Sequence, residues 1–369
     1  MNKKILFFSV NRHQKTYFDQ LLVAVRSRDE GVSLHSRSLL KTRPSLKCSK
    51  YDIALAFEGS MIRMKYFHNK TGVRIGFVHH ILKMAFYFTT TLYFTLKFKR
   101  FITTQTFDII LLWNDMKWHQ FIIKSTAANN QVKTAFFENG TLPNTVTFDP
   151  KGVNYNNSVP RDRVFYQKKN AVEKTENRAC SLLSKVSDLK NGYIFVPFQV
   201  DYDTQIISHS PWINNMGHFY QVLERLLVNL PTGVKIVIKE HPASSRCYQY
   251  LHENNSRIEF RNTDDTDALI SNSRLVITIN STVGLESIFK EKPVLVLGKA
   301  FYSIEGLCSH VETESDLLGK VQALSYPQEN IKDAFFRYLK EEYYISGNWR
   351  TPSPEHTKAI EKRLYKMIE

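Results

Sequence analysis

The chain has 369 residues, 43% of them apolar and 23% charged, and a formal net charge of +15. This composition excludes a disordered or fibrous chain, and the length exceeds what one ordinary core needs, so two domains are expected. The positive balance points to anionic partners: acidic lipid, an acidic polysaccharide or nucleic acid.

In chain order, Met1–Val10 has a basic start and a short apolar run with no small-residue cleavage site after it. It reads as a first strand, Lys4–Val10, not as a signal peptide. Further strands are expected in the first half at Asp52–Phe57, Val73–Val78, Asp108–Trp113 and Val132–Phe137. The second half offers Tyr193–Pro197, Val234–Ile238, Arg257–Phe260, Arg274–Ile279 and Pro293–Leu297. Most are continuously apolar, as strands covered on both faces are. Helical stretches at Gly217–Val228, Asp267–Ser271 and Ser315–Ala323 alternate with them, which implies parallel sheets with crossover connections. Asp333–Tyr344 and Glu355–Ile368 read as helices broken by Ser346–Pro354.

The most apolar stretch is Met84–Leu96, bracketed by Lys83 and by Lys97, Lys99 and Arg100. It is shorter than the roughly 20 residues a spanning helix needs. Aromatics beside cations suit a segment lying in a membrane interface; a buried helix with a basic end has the same composition. Cys48, Cys180, Cys247 and Cys308 form no CxxC pair and read as free thiols of a reducing cytoplasm. No metal-ligand spacing such as HExxH occurs, so no metal is expected. Walker-type and GxGxxG loops are also missing from the sequence, which removes support for ATP chemistry and dinucleotide redox. Outside 83–101 no basic run is interleaved with stacking aromatics, so nucleic acid is not an expected partner.

Four polar clusters each follow an expected strand, where ligands of open α/β sheets bind. After Val132–Phe137 come Glu138, Asn139 and Gly140, with a turn signal at Asp149–Gly152. A partly buried Glu138 could exchange protons at a sheet edge, although a surface or helix-capping glutamate would occupy the same position. After Tyr193–Pro197 the loop carries Gln199, Asp201, Asp203 and His209. Val234–Ile238 leads into Lys239-Glu-His241-Pro242, where an ammonium and an imidazole can hold a phosphate or carboxylate. Arg274–Ile279 leads into Asn280, Ser281, Thr282 and Glu286, a hydroxyl-rich turn opening a helix. Its free amides and dipole favour an anion, and a plain N-cap is the simpler reading.

Taken together, Phe137–Gly140, Phe195–Ile206, Lys239–Pro242, Asn280–Glu286 and Lys292–Gly298 resemble the Kps-type capsule polysaccharide biosynthesis proteins. These are retaining β-Kdo glycosyltransferases that use CMP-Kdo, and the resemblance runs from about Val132 to Phe301. It implies an α/β, GT-B-like fold of two Rossmann-type doubly wound domains with a cleft between them. The corresponding division is an acceptor-side domain over 1–185, a nucleotide-sugar-binding domain over 186–345 and a C-terminal helix over 346–369. By resemblance Asp203 is the nucleophile and Glu138 lies near the reacting centre. Lys239, His241, Asn280, Ser281, Thr282 and Glu286 belong to the donor site. Phe198 and Tyr202 make the loop more aromatic than the family pattern, which leaves Asp201 in competition with Asp203.

The implied function is transfer of Kdo from CMP-Kdo, a donor substrate and not a cofactor, to an anionic glycan or glycolipid of capsule or lipopolysaccharide. A Kdo carboxylate and one phosphate do not require a glycine-rich diphosphate loop. The expected location is cytoplasmic and peripheral, on the cytoplasmic face of the inner membrane. Two alternatives stay open: a transferase of the same fold using CMP-sialic acid or a UDP-sugar, and a non-catalytic polysaccharide-binding assembly factor.

Overall fold

A computed structural model describes residues 3–26, 28–73, 75–170, 189, 192–244 and 248–369. It resolves into two compact units, one of residues 1–68, 73–158 and 340–369, the other of residues 69–72 and 159–339. The boundary expected at 185/186 lies outside the described residues, and the one expected at 345/346 falls earlier; the units divide at Ser158/Val159 and again at Leu339/Lys340.

The first unit contains β1 (Lys4–Ser9), α1 (Arg12–Val25), β2 (Glu30–His35), α2 (Ser36–Leu39), most of α3 (Lys50–Thr71) and α4 (Phe77–Thr104). It continues with β3 (Ile109–Trp113), α5 (Trp118–Asn129), β4 (Lys133–Asn139) and β5 (Thr145–Asp149). The second unit holds α6 (Arg163–Asn170), β6 (Tyr193–Pro197), α7 (Thr204–His209), α8 (Met216–Val228), β7 (Lys235–Lys239), β8 (Ile258–Phe260), α9 (Thr266–Asn272) and β9 (Ser273–Thr278). It ends with α10 (Thr282–Phe289), β10 (Val294–Val296), β11 (Ser309–His310), α11 (Glu314–Gln322) and α12 (Glu329–Tyr338). The chain then returns to the first unit with β12 (Ile345–Ser346) and α13 (Pro354–Ile368).

Two of the expected strands are helical or irregular. Asp52–Phe57 opens α3; of Val73–Val78, the described residues Val73, Ile75 and Gly76 are irregular, and Phe77 and Val78 begin α4. The reason is physical. The buried positions of α3 are Asp52, Leu55, Ala56, Gly59, Ser60 and Met64, a helical spacing carried partly by small and polar residues. Ile53, Phe57 and Met61 point outward. Both faces are therefore apolar, the sequence shows no amphipathic period, and a short apolar run imitates a strand. The Met84–Leu96 segment lies inside α4, and the structure divides it. Thr91, Phe94, Thr95 and, just beyond, Lys97 and Phe98 are buried, whereas Phe86 and Tyr93 are exposed.

The first sheet has the order β12-β5-β4-β3-β1-β2. β1–β4 are parallel, and β5 and β12 are antiparallel to their neighbours. One face packs Phe7, Phe18, Phe137 and Phe148 with α13's Ile360 and Leu364; the other packs Leu6, Phe8, Phe98 and Phe136. Phe137 and Phe148 stack at 4.2 Å, a contact worth about 0.5–1.5 kcal/mol beyond area burial.

The second sheet is wholly parallel, in the order β11-β10-β9-β6-β7-β8. Counted within the unit this is the doubly wound 3-2-1-4-5-6 arrangement, whose order reverses between β6 and β9. The two-sheet α/β class expected from sequence is thus present. β2, β5, β11 and β12 have no counterpart among the expected strands: β2 is polar, and β11 and β12 are two residues each.

Candidate active site

In the second unit, neighbouring strands bring three of the four clusters to one carboxyl edge. β7, β6 and β9 lie side by side, and the loops after them hold Lys239–His241, Phe198–Asp203 and Ile279–Thr282. The joint between the latter two is a reciprocal amide clasp. Gln199 Nε2 donates to Asn280 Oδ1 at 2.9 Å, and the Asn280 backbone N–H returns a bond to Gln199 Oε1 at 3.2 Å. Asn280 Nδ2 also donates to the carbonyls of Gln205 and His209. Both side chains are buried, so Asn280 positions the site from within, and Gln199, a member of the expected cluster to which no role was given, is a positioning residue too. Its one visible signal is an amide directly after an apolar strand.

Burial separates the two acids of this loop. Asp201 is fully buried; its Oδ1 accepts from the Met216 backbone at 2.7 Å and its Oδ2 from the Tyr248 hydroxyl at 2.5 Å. It ties the loop to the start of α8 and to the 248–251 turn. Asp203 is exposed and is the N-cap of α7. Its Oδ1 accepts from the Gln205 backbone at 2.8 Å and faces the Thr204 hydroxyl at 3.4 Å; Oδ2 has no hydrogen-bond partner among the described residues. The cap thus fixes the carboxylate's direction through one oxygen and leaves the other open to a ligand.

At the end of β7, His241 is exposed and its Nδ1 accepts the Ala243 N–H at 3.1 Å. A neutral ring accepting at Nδ1 carries its proton on Nε2, so the outward nitrogen is a donor suited to an anionic oxygen. The Lys239 ammonium donates to the Asp264 carbonyl, and the Glu240 carboxylate meets His252 Nε2 at 3.1 Å.

Ser281 caps α10: its Oγ accepts from Val283 N, and its carbonyl accepts from Gly284 N and the Tyr302 hydroxyl. The plain N-cap reading is therefore correct for Ser281, and its hydroxyl hydrogen can still be donated. Thr282 is exposed beside it at the first turn. Gly284 explains how α10 sits so close to its strand. A Cβ there would lie 2.4 Å from the Tyr302 hydroxyl and 2.9 Å from Thr278 Cγ2. Glu286 follows on the next turn. Desolvation pushes its carboxyl above the usual range and Asp267 adds to this, against Lys290.

The fourth cluster belongs to the first unit. Glu138 is half-buried near the end of β4. Its Oε2 accepts from Asn114 Nδ2 at 3.0 Å and its Oε1 from the Asn139 N–H at 2.9 Å. Asn114 follows β3, is buried, and has φ 68°, the left-handed region that asparagine tolerates better than most residues. Its Oδ1 accepts from Met116 N at 2.8 Å. Asn114 was not among the sequence candidates. The loop from Asn139 to Thr145 and residues 347–350 line a pocket of about 390 Å3. Trp349 Nε1 donates to Asn139 Oδ1 at 2.6 Å there, and the Arg350 guanidinium lies 5.4 Å from the Trp349 ring centre. An indole face, a guanidinium and several amides suit a sugar carrying a carboxylate. Below, Asp149 is fully buried and accepts from Lys151 N, Gly152 N and Ser158 N, confirming the turn.

The family described as "Capsule polysaccharide biosynthesis protein" matches residues 108–178 and 164–349. Protein FixF of Sinorhizobium fredii is 32% identical over 251 residues, 66% of this chain and 62% of FixF, so the match spans less than two thirds of that relative. Capsule polysaccharide export protein KpsS of Escherichia coli is 24% identical over 270 residues, covering 54% of this chain and 69% of KpsS. Among solved structures, KpsC of Thermosulfurimonas dismutans, titled a beta Kdo 2,7 transferase, aligns over 99% of this chain and 100% of that one. Its identity is 15% and the TM-score 0.46.

Proposed function

Because this chain belongs to the capsule polysaccharide biosynthesis protein family, we propose that it is a retaining glycosyltransferase that moves Kdo from CMP-Kdo to a cell-surface glycan or glycolipid. The observation that carries the reading is the contrast within one loop at the order-reversal point of a doubly wound sheet. Asp201 is locked into the fold, and Asp203 is held by one oxygen with the other open.

In the proposed reaction, Asp203 Oδ2 attacks the anomeric carbon as the bond to the CMP phosphate oxygen breaks and CMP leaves. The acceptor hydroxyl then attacks the same carbon and gives its proton to a carboxylate base, the role that the family resemblance suggests for Glu138, and the ester to Asp203 breaks. Two displacements at one carbon return the starting configuration. The Nε2–H of His241 and the Ser281 and Thr282 hydroxyls at the α10 N-terminus are suited to the donor's phosphate, which a helix start favours. Lys239 supplies positive charge nearby. Glu286, on the next turn of α10, is assigned to the donor's nucleoside. The pocket beside Glu138, with Trp349 and Arg350, is assigned to an acidic sugar of the acceptor.

The test is incubation of the full chain with CMP-Kdo, CMP-sialic acid and UDP-sugars in turn, with glycolipid and lipopolysaccharide-core acceptors. CMP release and a β-linked Kdo product are expected from CMP-Kdo alone. Turnover of a UDP-sugar instead, or of no donor with any acceptor, would refute the reading.

A further inference from the structure

Two unusual properties of this molecule coincide in α3, α4 and the segment before them. Between residues 41 and 105 there are twelve Lys and Arg against two Asp and Glu, a local net charge of +10 out of the chain's +15. Of the nineteen large apolar side chains exposed among the described residues, fourteen lie between Leu40 and Tyr93. The apolar exposure has helical order. Ile53, Phe57 and Met61 recur every fourth residue on α3, and Val78, Leu82 and Phe86 do so on α4, with Ile81 beside them. Phe77 is 80% exposed, Leu82 62% and Phe86 60%. These are not the core-facing positions: Leu55, Phe94, Phe98 and Ile102 already fill the first sheet's core. So many exposed apolar side chains on two successive helices mark a docking surface.

The same stretch carries exposed cations. Lys41, Arg43, Lys47, Lys50 and Arg100 are exposed. Lys83 lies with its ammonium 3.7 Å from the Phe67 ring centre, an amine at the border of an apolar patch. Lys97 and Lys99, by contrast, are used internally, on the Leu40 carbonyl and on Asp52. No described helix is long and apolar enough to cross a membrane.

We propose that this face of α3 and α4 docks on an anionic phospholipid bilayer, with the Phe57, Leu82 and Phe86 side chains entering the interface and the flanking cations meeting lipid phosphates. The inference does not depend on the transferase reading. Apolar side chains that enter the headgroup boundary, ringed by lysine and arginine, are the composition of interfacial helices. Each cation near an anionic leaflet adds to the attraction. A second copy of the chain is the poorer occupant, because it would bring one +10 surface against another.

The test is co-sedimentation of the full chain with phosphatidylcholine vesicles and with vesicles that also contain phosphatidylglycerol. Binding is expected to the anionic vesicles only, weakening as salt shortens the screening length. The variant Phe57→Ser/Leu82→Ser/Phe86→Ser should lower partitioning at least tenfold, with unchanged far-UV circular dichroism. Lys41→Glu/Arg43→Glu/Lys47→Glu should weaken binding and flatten its salt dependence, an independent readout should the triple serine variant fold poorly. Equal binding to neutral vesicles overturns the proposal. So does wild-type partitioning by a folded serine variant, or a vesicle-free dimer that the serine substitutions dissociate.

Discussion

At the scale of single residues, the decisive contrast is between two aspartates separated by one tyrosine. Asp203→Asn keeps the α7 cap, since an amide oxygen still accepts from Gln205 N, but removes the charge a nucleophile needs. Transfer should fall by more than about a hundredfold, roughly 2.7 kcal/mol of transition-state stabilisation, with donor affinity retained. Asp201→Asn should act differently. It weakens a buried bond from Tyr248 and should lower the unfolding free energy by about 1–3 kcal/mol while leaving turnover per folded molecule near normal. Rate assays beside thermal melts separate the two. A dead Asp201→Asn with an active Asp203→Asn would shift the nucleophile by two residues. Sequence alone could not separate them, because what buries Asp201 is Tyr248, far along the chain and in no visible motif. Asn114 was illegible for a similar reason: its value lies in a left-handed backbone and a bond to Glu138, not in its local pattern.

At the scale of elements, the site is as good as the joints that hold its loops. Asn280→Ala removes all the Asn280 side-chain bonds to Gln199, Gln205 and His209. It should cost about 1–3 kcal/mol through buried groups left unpaired, and should raise the donor dissociation constant, measured by calorimetry, more than Thr282→Ala does. The helices α3 and α4 have their own tie, Lys99 to Asp52 at 2.7 Å. Burial alone would push the Asp52 carboxyl up. Lys99, with the Ser49 N–H and hydroxyl, outweighs it and holds the carboxyl below its ordinary 3.8. A carboxyl depressed in the folded state adds stability above that ordinary value and loses it as pH falls through the folded one. Lys99→Met should therefore show a shallower loss of stability in acid than the wild type below about pH 3.8, read from urea midpoints across pH. Strands that are apolar and covered on both faces, β1, β3, β4, β6, β7 and β9, were legible as runs. Helix α3 was not, because its outward face is as apolar as its inward one.

At the scale of the whole molecule, alternation of strand and helix was enough to anticipate two doubly wound sheets. It could not anticipate that residues 340–369 return to the first unit. There β12 pairs antiparallel with β5, Ile345 opposite Val146, and His356 bonds the Tyr17 hydroxyl at 2.9 Å and the Ser346 carbonyl at 2.7 Å. Gly347, at φ 123°, leaves no room for a Cβ against the His356 ring. A chain cut after Leu339 should keep a cooperative transition for the second unit and lose that of the first, with Phe18, Phe137 and their neighbours open to a hydrophobic dye. The return also sets an order of assembly during synthesis. The stretch that builds the second sheet emerges from the ribosome whole, while the first sheet, begun earlier, waits for α13. The half that starts first finishes last, and a nascent chain paused before residue 340 should protect its later half from protease sooner than its earlier one.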